Sequence, residues 1–582
     1  MKRLTYVLSV LLGVVNVLAG EKSLIDFGAA GAAARISMDA SCEQQVAFKT
    51  AAGTLAVTIK PGPAGYPGVR IAPDGPAWDL SAYSRVESRV VNTGAKTLSL
   101  ALRVDNAGDW QNNPWNTEQI SIKPGATGTV SVTFGYSYGR KPGYALKPSA
   151  VVNVLMFTLK SKEEQSFRVE SLVAAGTAGE KPPVDPNSVR IKPQGGIIFG
   201  PRVAVDAAKQ IETKGVKAAV DQSALKIEFP AGNNEQSAAL KPVAGRWNLS
   251  DATEVRVKLK NAGSTPVTPR LQLISNGGPT EIITASKALA PGVVQEVIVP
   301  FAPAASWKGI PKSGDRSTWE GQKGTGTKFG SDAVSAINIS AGHDGAATLL
   351  IESITAVTSP AEIPAWLGKR PPVEGDWVKT FEDDFTAPTI DLSRWNNTGP
   401  NYWDKRSHWS TNNVILGGGL ARLHYEKKTG HCNDDPTQKT SDYTGGYLDT
   451  YGKWTQKYGY FEARMKLPQV PGMWPAFWMM PDRGVAFGPQ WKRGDTGNSG
   501  MEFDIMEHLT RWGPYRYNIA MHWDGYGKDH KQLGTSGIYV QADKDGFITS
   551  GLLWTPGSAV YYCNGREVAR WEDPRISTVP AN

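Results

Sequence analysis

The chain has 582 residues, of which 40% are hydrophobic and 20% are charged, and its formal net charge is +8. This length excludes a single core and predicts several domains. Short runs of alternating apolar and polar residues recur throughout, and no long helical periodicity is found. We therefore predict an all-β, multidomain protein.

The first twenty residues have the pattern of a signal peptide. Lys2 and Arg3 form a basic start, the run from Tyr6 to Leu18 is mostly apolar, and small residues around Ala19 offer a cleavage site. No later segment has the length and hydrophobicity to span a bilayer. We expect a soluble protein, secreted or periplasmic, with residues 1–20 removed and no membrane partner.

The chain has three cysteines, Cys42, Cys432 and Cys563, and an odd number excludes a complete disulfide framework. Cys432 and Cys563 fall in one predicted domain, so both a disulfide between them and separate buried thiols remain open. None of the three has the spacing of a metal-ligand set.

The positive charge is concentrated in the first two thirds of the chain. From residue 376 onward, 23 Lys and Arg residues face 24 Asp and Glu residues. A basic surface attracts polyanions, including sulfated polysaccharides and nucleic acid. Because no run of basic residues concentrates this charge, a solvated face is favoured, and we expect no nucleic-acid partner.

The part of the chain before residue 359 contains a duplication. Trp78 to Ser81 recurs 169 residues later as Trp247 to Ser250, while the closing strands Val169 to Leu172 and Ile351 to Ile354 are 182 residues apart. The second copy therefore carries an insertion of 13 residues, and the period is that of a whole domain.

Proline-rich stretches mark the boundaries between these parts, because such stretches form semi-rigid linkers. They lie at residues 181–186 and 359–372. We predict β-sandwich modules at 21–178 and 187–358, a linker at 359–375 and a third domain at 376–582.

The two copies resemble the galactose-binding-like, jelly-roll accessory modules of polysaccharide-degrading enzymes. The resemblance implies that at least one copy binds carbohydrate, and the linkers suggest that each copy folds autonomously. The alternative is that the modules are spacers and that their aromatic residues serve packing. The aromatic residues in loop-like stretches are Trp110, Trp115, Tyr136, Tyr138, Trp307 and Trp319.

The segment from Met501 to Glu507 alternates apolar and acidic residues, as a strand with one wet face does. Glu502 and Asp504 share a face, and one extra residue in a β-bulge would bring Glu507 to the same side. Like charges repel and desolvation makes them costly, so stability does not explain three acids here. Retaining glycoside hydrolases need two carboxyl groups about 5–5.5 Å apart, which this pattern can supply.

The Glu-x-Asp-x-x-Glu pattern of this segment resembles the bulged signature of glycoside hydrolase family 16. Segments like the family's neighbouring strands occur in the right order at 381–385, 457–467, 472–478 and 553–565. The resemblance implies a concanavalin-like β-jelly-roll catalytic domain in a secreted, retaining endo-glycoside hydrolase. It also implies that Glu502 is the nucleophile, Asp504 the assisting acid and Glu507 the general acid/base.

Four further residues are candidates for substrate binding. Trp474 and Trp478 are spaced to bracket more than one sugar unit along a strand, although both also suit a core. His522 lies near the acid/base by resemblance, and Arg464 either binds substrate or pairs with an acid.

Two other functions share this fold: a polysaccharide-binding protein without activity and a transglycosylase. The three acids favour an enzyme, and the bulge favours a hydrolase. The resemblance implies a polysaccharide substrate, either β-1,3-glucan or a galactan such as agarose, porphyran or carrageenan, and the basic modules favour a galactan. We expect a monomer without cofactor; structural calcium is common in the family, but we find no ligand cluster for it.

The end of the sequence predicts a truncated third domain. Asn564 and Gly565 suit a type I′ turn between two short strands. After Arg570 only twelve residues remain, with Pro574 and Pro580 among them, whereas the family continues with further strands. We expect an open sheet edge here, unless another segment of the protein closes it.

Overall fold

The computed structural model describes residues 20–108, 114–182, 184, 188–221, 224–232, 235–309, 328–397, 399, 407–431, 440–488, 490–573 and 576. The secondary structure of these residues is almost entirely strand, which confirms the all-β prediction. The two α-helices have four residues each, α1 (Ala207–Gln210) and α2 (Gln490–Arg493). Short 3₁₀ turns occupy Ala32–Arg35, Ala40–Cys42, Pro148–Ala150, Gln194–Gly196, Ser331–Ala333, Thr411–Asn413, Val485–Phe487 and Thr510–Trp512.

The chain divides into two compact units, Met1–Val184 and Asp185–Asn582. The described residues of the first unit form the strands β1 (Lys22–Ser23), β2 (Ile36–Ser37), β3 (Val46–Ala51), β4 (Thr54–Ile59), β5 (Gly68–Ile71), β6 (Arg85–Asn92), β7 (Leu98–Asn106), β8 (Trp115–Ile122), β9 (Thr127–Thr133), β10 (Tyr136–Ser137), β11 (Lys141–Pro142), β12 (Val151–Phe157) and β13 (Gln165–Ala175).

The first unit is a β-sandwich. Its two main sheets have the strand orders β3-β4-β13-β6-β9 and β2-β5-β12-β7-β8. Alternate residues of strands from both sheets are buried in one core, which includes Val57, Val90, Leu100 and Met156. The period-2 alternation read from the sequence therefore places one face of each sheet in the core.

The second unit begins with another sandwich, whose strands are β14 (Arg190–Ile191), β15 (Ile197–Phe199), β16 (Ile211–Lys214), β17 (Lys217–Asp221), β18 (Ala224–Phe229), β19 (Ser237–Leu240), β20 (Arg246–Trp247), β21 (Glu254–Asn261), β22 (Thr268–Ser275), β23 (Gly278–Pro279), β24 (Ile283–Thr284), β25 (Val294–Pro300), β26 (Trp307–Gly309), β27 (Val334–Gly342) and β28 (Ala347–Val357). Its sheets are β14-β20-β27-β19-β16, with β22 also on β27, and β17-β18-β28-β21-β25.

The repeated sequences occupy equivalent places in the two sandwiches. Trp78 forms a bridge to Val151 in the first, and Trp247 pairs with Val334 in the second. The pairing of β6 with β13 is matched by that of β21 with β28, each with a register shift near its middle.

The remaining strands of the second unit are β29 (His408–Trp409), β30 (Val414–Leu416), β31 (Ala421–Leu423), β32 (Tyr425–His431), β33 (Thr440–Gly445), β34 (Gly459–Met465), β35 (Ala476–Met479), β36 (Met501–Glu507), β37 (Arg516–Trp523), β38 (Lys531–Tyr539), β39 (Ile548–Thr555), β40 (Ser558–Cys563) and β41 (Arg566–Glu572). Two of their sheets, β26-β41-β40-β39-β34 and β35-β36-β37-β38, share a core that includes Phe503, Tyr517, Leu552 and Trp571.

The segment from Phe381 to Phe385, expected to resemble the family's first strands, contains no strand. The side chain of Asp383 accepts a hydrogen bond from the backbone N–H of Phe385, and that of Asp384 accepts one from Thr386. These local turns use the backbone donors that a sheet ladder needs, which explains the difference.

The predicted hairpin at Asn564 and Gly565 is confirmed, since both residues have positive φ between β40 and β41. The outer edge of β41 does not stand open: β26 of the second sandwich pairs with it in parallel. The sequence left open that another segment closes this edge, and β26 is that segment.

Three sequence expectations, the signal peptide, the Cys432–Cys563 disulfide and sugar stacking by Trp110 and Trp319, involve residues outside those described; Trp110 and Trp319 are two of them. Residues 1–19 of the predicted signal peptide lie outside the described residues, as does Cys432. Cys42 and Cys563 are buried free thiols. Within the described part of the chain, no helix has the length and apolarity to cross a membrane.

Candidate active site

The three acids lie on β36, which is hydrogen-bonded to β35 on one side and β37 on the other. Glu502 lies opposite His522, Asp504 opposite Ala520, and Glu507 opposite Asn518. The register shifts between Asp504 and Glu507, so that an extra residue of β36 brings Glu507 to the face of the other two acids.

The opposite face of β36 holds this arrangement in place. Met501, Phe503 and Ile505 are at most 3% exposed and belong to the core between the two sheets. Burial of three large apolar side chains fixes the register, because a slip of one residue would expose them and bury the acids.

Glu502 and Asp504 form a buried pair of carboxyl groups. Burial, followed by the charge of Asp504, raises the pKa of Glu502 to about 8. Burial and the charge of Glu507 raise the pKa of Asp504 well above its usual range. Because two adjacent carboxylates are costly in an apolar setting, the pair retains one shared proton near neutral pH.

Tyr526 donates its hydroxyl hydrogen bond to Oε2 of Glu502. The residue lies in the loop between β37 and β38, and its side chain is more than half exposed. A donor at this position stabilises the ionised form of Glu502 and fixes the direction of one carboxylate oxygen.

Glu507 has different partners. Its Oε1 accepts a hydrogen bond of 3.1 Å from Nε1 of Trp474, and its Oε2 accepts one of 2.6 Å from Nδ2 of Asn518. Each carboxylate oxygen thus has one neutral donor, and the donors come from two different strands or their ends.

His522 connects Asp504 to a second histidine. Its Nε2 lies 3.3 Å from Oδ2 of Asp504, and its Nδ1 lies 2.9 Å from Nε2 of His530. The two imidazole rings stack with 12° between their planes and 5.1 Å between their centres. Burial, together with His522, lowers the pKa of His530, so His530 stays neutral and can supply one fixed donor or acceptor to His522.

The structure brings the predicted residues to one open cleft, which is lined by Glu502, Asp504, Glu507, Trp474, Trp478, His522 and Arg464. Trp474 is 63% exposed, whereas Trp478 is half-buried opposite Asp504. An exposed indole beside the acids can stack on the apolar face of a sugar ring.

Arg464 is not brought to the acids. It lies on β34 of the other sheet, where its Nη2 is 2.8 Å from Oδ2 of Asp543 and its guanidinium lies over the ring of Phe547. Of the two roles that the sequence allowed, the structure shows the ion pair.

Sequence reasoning missed Tyr526 and His530. Both lie in or beside the loop from Asp524 to His530, which has neither strand alternation nor a motif. The only signal in the sequence was that Tyr526 and His530 follow His522 by only four and eight residues. A short loop between paired strands keeps such residues near His522.

The cluster of Glu502, Asp504 and His522 also has the geometry of a metal site, since one ligand atom from each lies within 4.8 Å of the others. Calcium prefers six to eight oxygen ligands, which two carboxylates and an imidazole do not supply. Shared protons and hydrogen bonds to Tyr526 and His530 account for these groups instead.

Comparison with known families agrees with this geometry. The model described as glycosyl hydrolases family 16 matches residues 402–580. We call this matched region the family 16 domain. The strands β36 and β37, with the three acids, lie within the matched residues.

The chain is also similar to curated proteins. The chain is 32% identical over 133 residues to endo-1,3-1,4-beta-glycanase EglC of Rhizobium meliloti, covering 23% of this chain and 25% of that protein. It is 27% identical over 216 residues to a beta-glucanase of Rhodothermus marinus, covering 35% and 69%. It is 28% identical over 122 residues to keratan-sulfate endo-1,4-beta-galactosidase of Sphingobacterium multivorum, covering 21% and 26%. The chain spans about a quarter of the length of the Rhizobium relative.

Among solved structures, LamAcat from Zobellia galactanivorans is 22% identical with a TM-score of 0.30, covering 35% of this chain and 83% of that one. The laminarinase catalytic domain from Thermotoga maritima is 22% identical with a TM-score of 0.29, covering 36% and 85%.

Proposed function

We propose that this protein is a secreted, retaining endo-glycosidase that cleaves internal β-linkages of a polysaccharide by double displacement. The observation that carries the proposal is the set of three carboxyl groups on one face of β36, in an open cleft. Glu502 is the nucleophile, Asp504 the assisting acid and Glu507 the general acid/base. An open cleft admits a chain in its middle, which endo-cleavage requires.

In the first step, Glu507 donates its proton to the glycosidic oxygen while an oxygen of Glu502 attacks the anomeric carbon. The bond to the leaving sugar breaks with its electron pair on that oxygen, and a glycosyl ester of Glu502 forms. The shared proton of the carboxyl pair moves to Asp504 during this step, so that Glu502 attacks as a carboxylate.

In the second step, the ionised Glu507 takes a proton from water, and the oxygen of that water attacks the anomeric carbon. Glu502 leaves as a carboxylate, and the product keeps the anomeric configuration of the substrate. The hydrogen bonds from Trp474 and Asn518 stabilise the charge that Glu507 carries between the two steps.

We propose a β-linked glucan as the substrate, with a β-linked galactan as the alternative. Support comes from relatives that are named as a beta-glucanase and a glucan endo-1,3-beta-glucosidase, whereas one relative is named as an endo-1,4-beta-galactosidase. The positive charge in the first two thirds of the chain favours a sulfated galactan, so the substrate screen also includes galactans.

The proposed function also includes sugar binding by the first sandwich. On the solvent side of its second sheet, Trp115 lies opposite Asp105, and Asp105 lies opposite Asn153. The Arg103 guanidinium lies 4.4 Å from the centre of the Trp115 ring. Asn153 adds a polar amide to this face, and its Oδ1 has no hydrogen-bond partner among the described residues.

The second sandwich has lost this polar group at the matching position. There Ile274 pairs with Ala336, where the first sandwich pairs Asp105 with Asn153. We therefore place the sugar-binding face on the first copy only. Trp115→Ala should lower retention on insoluble polysaccharide about tenfold, while Ile274→Ala should leave it unchanged; equal retention of both variants would exclude this face.

The experiment that tests the catalytic proposal has two parts. Purified protein is screened against laminarin, mixed-linkage glucan, agarose, porphyran and κ-carrageenan. Proton NMR of the first products on the active substrate should then show the retained anomeric configuration. Early inversion would refute double displacement, and inactivity on all five polysaccharides would refute the proposed substrate class.

A further inference from the structure

The second sandwich and the family 16 domain share a socket built around Tyr539. This residue ends β38 of the family 16 domain, is 6% exposed and lies in the core of the second sandwich. Its ring centre is 5.9 Å from those of Phe301 and Phe329. Its hydroxyl donates to the carbonyl of Phe329 and accepts from the N–H of Ser331, both at 2.9 Å.

A strand forms a second connection between the two regions. The backbone of β26 pairs with Ala569–Trp571 of β41, and the Trp307 ring packs 4.9 Å from that of Trp571. Beside this pair, Ser306 donates to Glu567 and Arg566 donates to the carbonyl of Ala304, both at 2.9 Å. Trp307 was a candidate for sugar stacking, and the structure gives it a packing role at this edge.

A third contact is a close approach of two backbones. Gly513 has a φ of +91°, and a Cβ added there would lie 2.6 Å from Cβ of Ser250 and 2.7 Å from its carbonyl oxygen. Only glycine fits this position, which lies in the loop just before β37.

These contacts lie at the start of β37, the strand that carries the hydrogen-bond donor to the acid/base Glu507. Tyr539 lies directly opposite Arg516, the first residue of β37. Arg516 is largely buried, and its Nη1 is 3.6 Å from Oδ1 of Asp332 in the second sandwich. Two residues further along β37, Asn518 donates the hydrogen bond to Glu507.

We propose that the second sandwich is a positioning part of the catalytic unit and that it sets the place of Asn518, and through it Glu507. This inference rests on the proposed function, because it assigns the second sandwich a role in proton donation by Glu507. It replaces the expectation of an autonomous module, because separation of the two regions would expose the apolar rings around Tyr539 and Trp307 to water. Tyr539, Phe329 and Asp332 are positioning residues in this scheme and touch no substrate.

The test compares leaving groups. Tyr539→Phe removes only the hydroxyl in the socket. It should lower kcat/KM about tenfold on an unactivated oligosaccharide, and less than about twofold on the dinitrophenyl glycoside of the same sugar. For the dinitrophenyl glycoside, kcat/KM reports the first step, in which a good leaving group departs without a proton, so a defect in proton donation by Glu507 produces this difference.

The control is a substitution in the same core but away from the junction. Phe329→Leu should reproduce the leaving-group difference, whereas Phe229→Leu should lower the melting temperature without it; both phenylalanines are at most 1% exposed. Equal losses on both substrates, or none in folded Tyr539→Phe and Phe329→Leu, would overturn the inference.

A second measurement does not depend on activity. In the full chain, Tyr539→Phe should speed hydrogen exchange at the amides of 516–518 at least about threefold, relative to Phe229→Leu. If the wild type is inactive, the proposed function fails and this exchange decides the inference alone. Unchanged exchange at 516–518 would overturn it.

Discussion

The two ends of β36 present carboxyl groups to the same cleft in opposite settings. Glu502 is buried beside Asp504 and accepts a hydrogen bond from Tyr526, and its pKa is raised to about 8. Glu507 interacts with Asp504 through its charge and accepts one hydrogen bond on each oxygen, from Trp474 and Asn518. Burial and the charge of Asp504 make negative charge costly at Glu502, whereas each carboxylate oxygen of Glu507 has its own hydrogen-bond donor.

This difference suits the two proposed roles. Attack converts the Glu502 carboxylate into a neutral ester. Surroundings that destabilise the charge of this carboxylate therefore favour formation of the ester. Glu507 moves the other way, from acid to carboxylate, and its two donors stabilise the charge it gains.

The largest effect is expected from removing either acid. Glu502→Ala should abolish turnover on every substrate, at least about 10⁴-fold, and azide should restore activity and yield a glycosyl azide of inverted configuration. Glu507→Ala should lose about 10³-fold in kcat/KM on polysaccharide but keep most of its kcat/KM on dinitrophenyl glycosides, whose first step needs no proton donor. Circular dichroism checks that both variants fold, and azide rescue of Glu507→Ala alone would reverse the assignment.

Asp504→Asn should lower kcat about a hundredfold and move the acidic limb of the pH–rate profile to lower pH. The charge of Asp504 raises the pKa of Glu502, so its removal lets Glu502 ionise at lower pH. The measurement is kcat/KM from pH 4 to 9. A shift to higher pH would show that Asp504 stabilises the Glu502 carboxylate instead.

Tyr526→Phe should shift the same limb in the opposite direction. The hydrogen bond from Tyr526 lowers the pKa of Glu502, so its loss raises that pKa further and moves the limb to higher pH. We expect kcat to fall about tenfold. Tyr443→Phe is the matched control, because Tyr443 is similarly exposed and lies on β33; a change of equal size there would remove the specific role of Tyr526.

The smallest effect is on stability. Because the folded pKa of Glu502 lies above its ordinary value of 4.5, the folded state binds more protons, and the free energy of unfolding falls as pH rises towards about 8. Glu502→Gln should remove this cost and melt about 3 °C above the wild type at pH 9, with little gain at pH 5. The exposed Glu362→Gln serves as control, and a gain at pH 5 that equals the gain at pH 9 would contradict the linkage.

The part of the site that lies on β36 could be predicted from the alternation of apolar and acidic residues in the sequence. The apolar residues between the acids of β36 define a packed strand, and the extra residue before Glu507 follows from the spacing alone. The turn at Asn564 and Gly565 was predictable for a similar reason, since few residues tolerate positive φ at both positions.

The remaining features depend on contacts that sequence patterns do not encode. Tyr526 reaches Glu502 from an irregular loop, and Trp307 lies in an insertion whose partner strand is far away in sequence. The sequence places Asp383 and Asp384 in a strand, but in the structure their side chains accept hydrogen bonds from the nearby backbone N–H groups of Phe385 and Thr386. In each case a tertiary or side-chain contact overrides the local pattern.

The parallel pairing of β26 with β41 has a consequence for how the protein is made. Ser306 and Glu567, which meet at this edge, are 261 residues apart in the chain. Closing so long a loop is slow, because its entropy must be lost before the contact stabilises anything. During synthesis the second sandwich leaves the ribosome before β41, and the strand of Trp307 has no partner until β41 has been made. The edge of β41 is therefore protected late, and we expect aggregation during refolding to begin there.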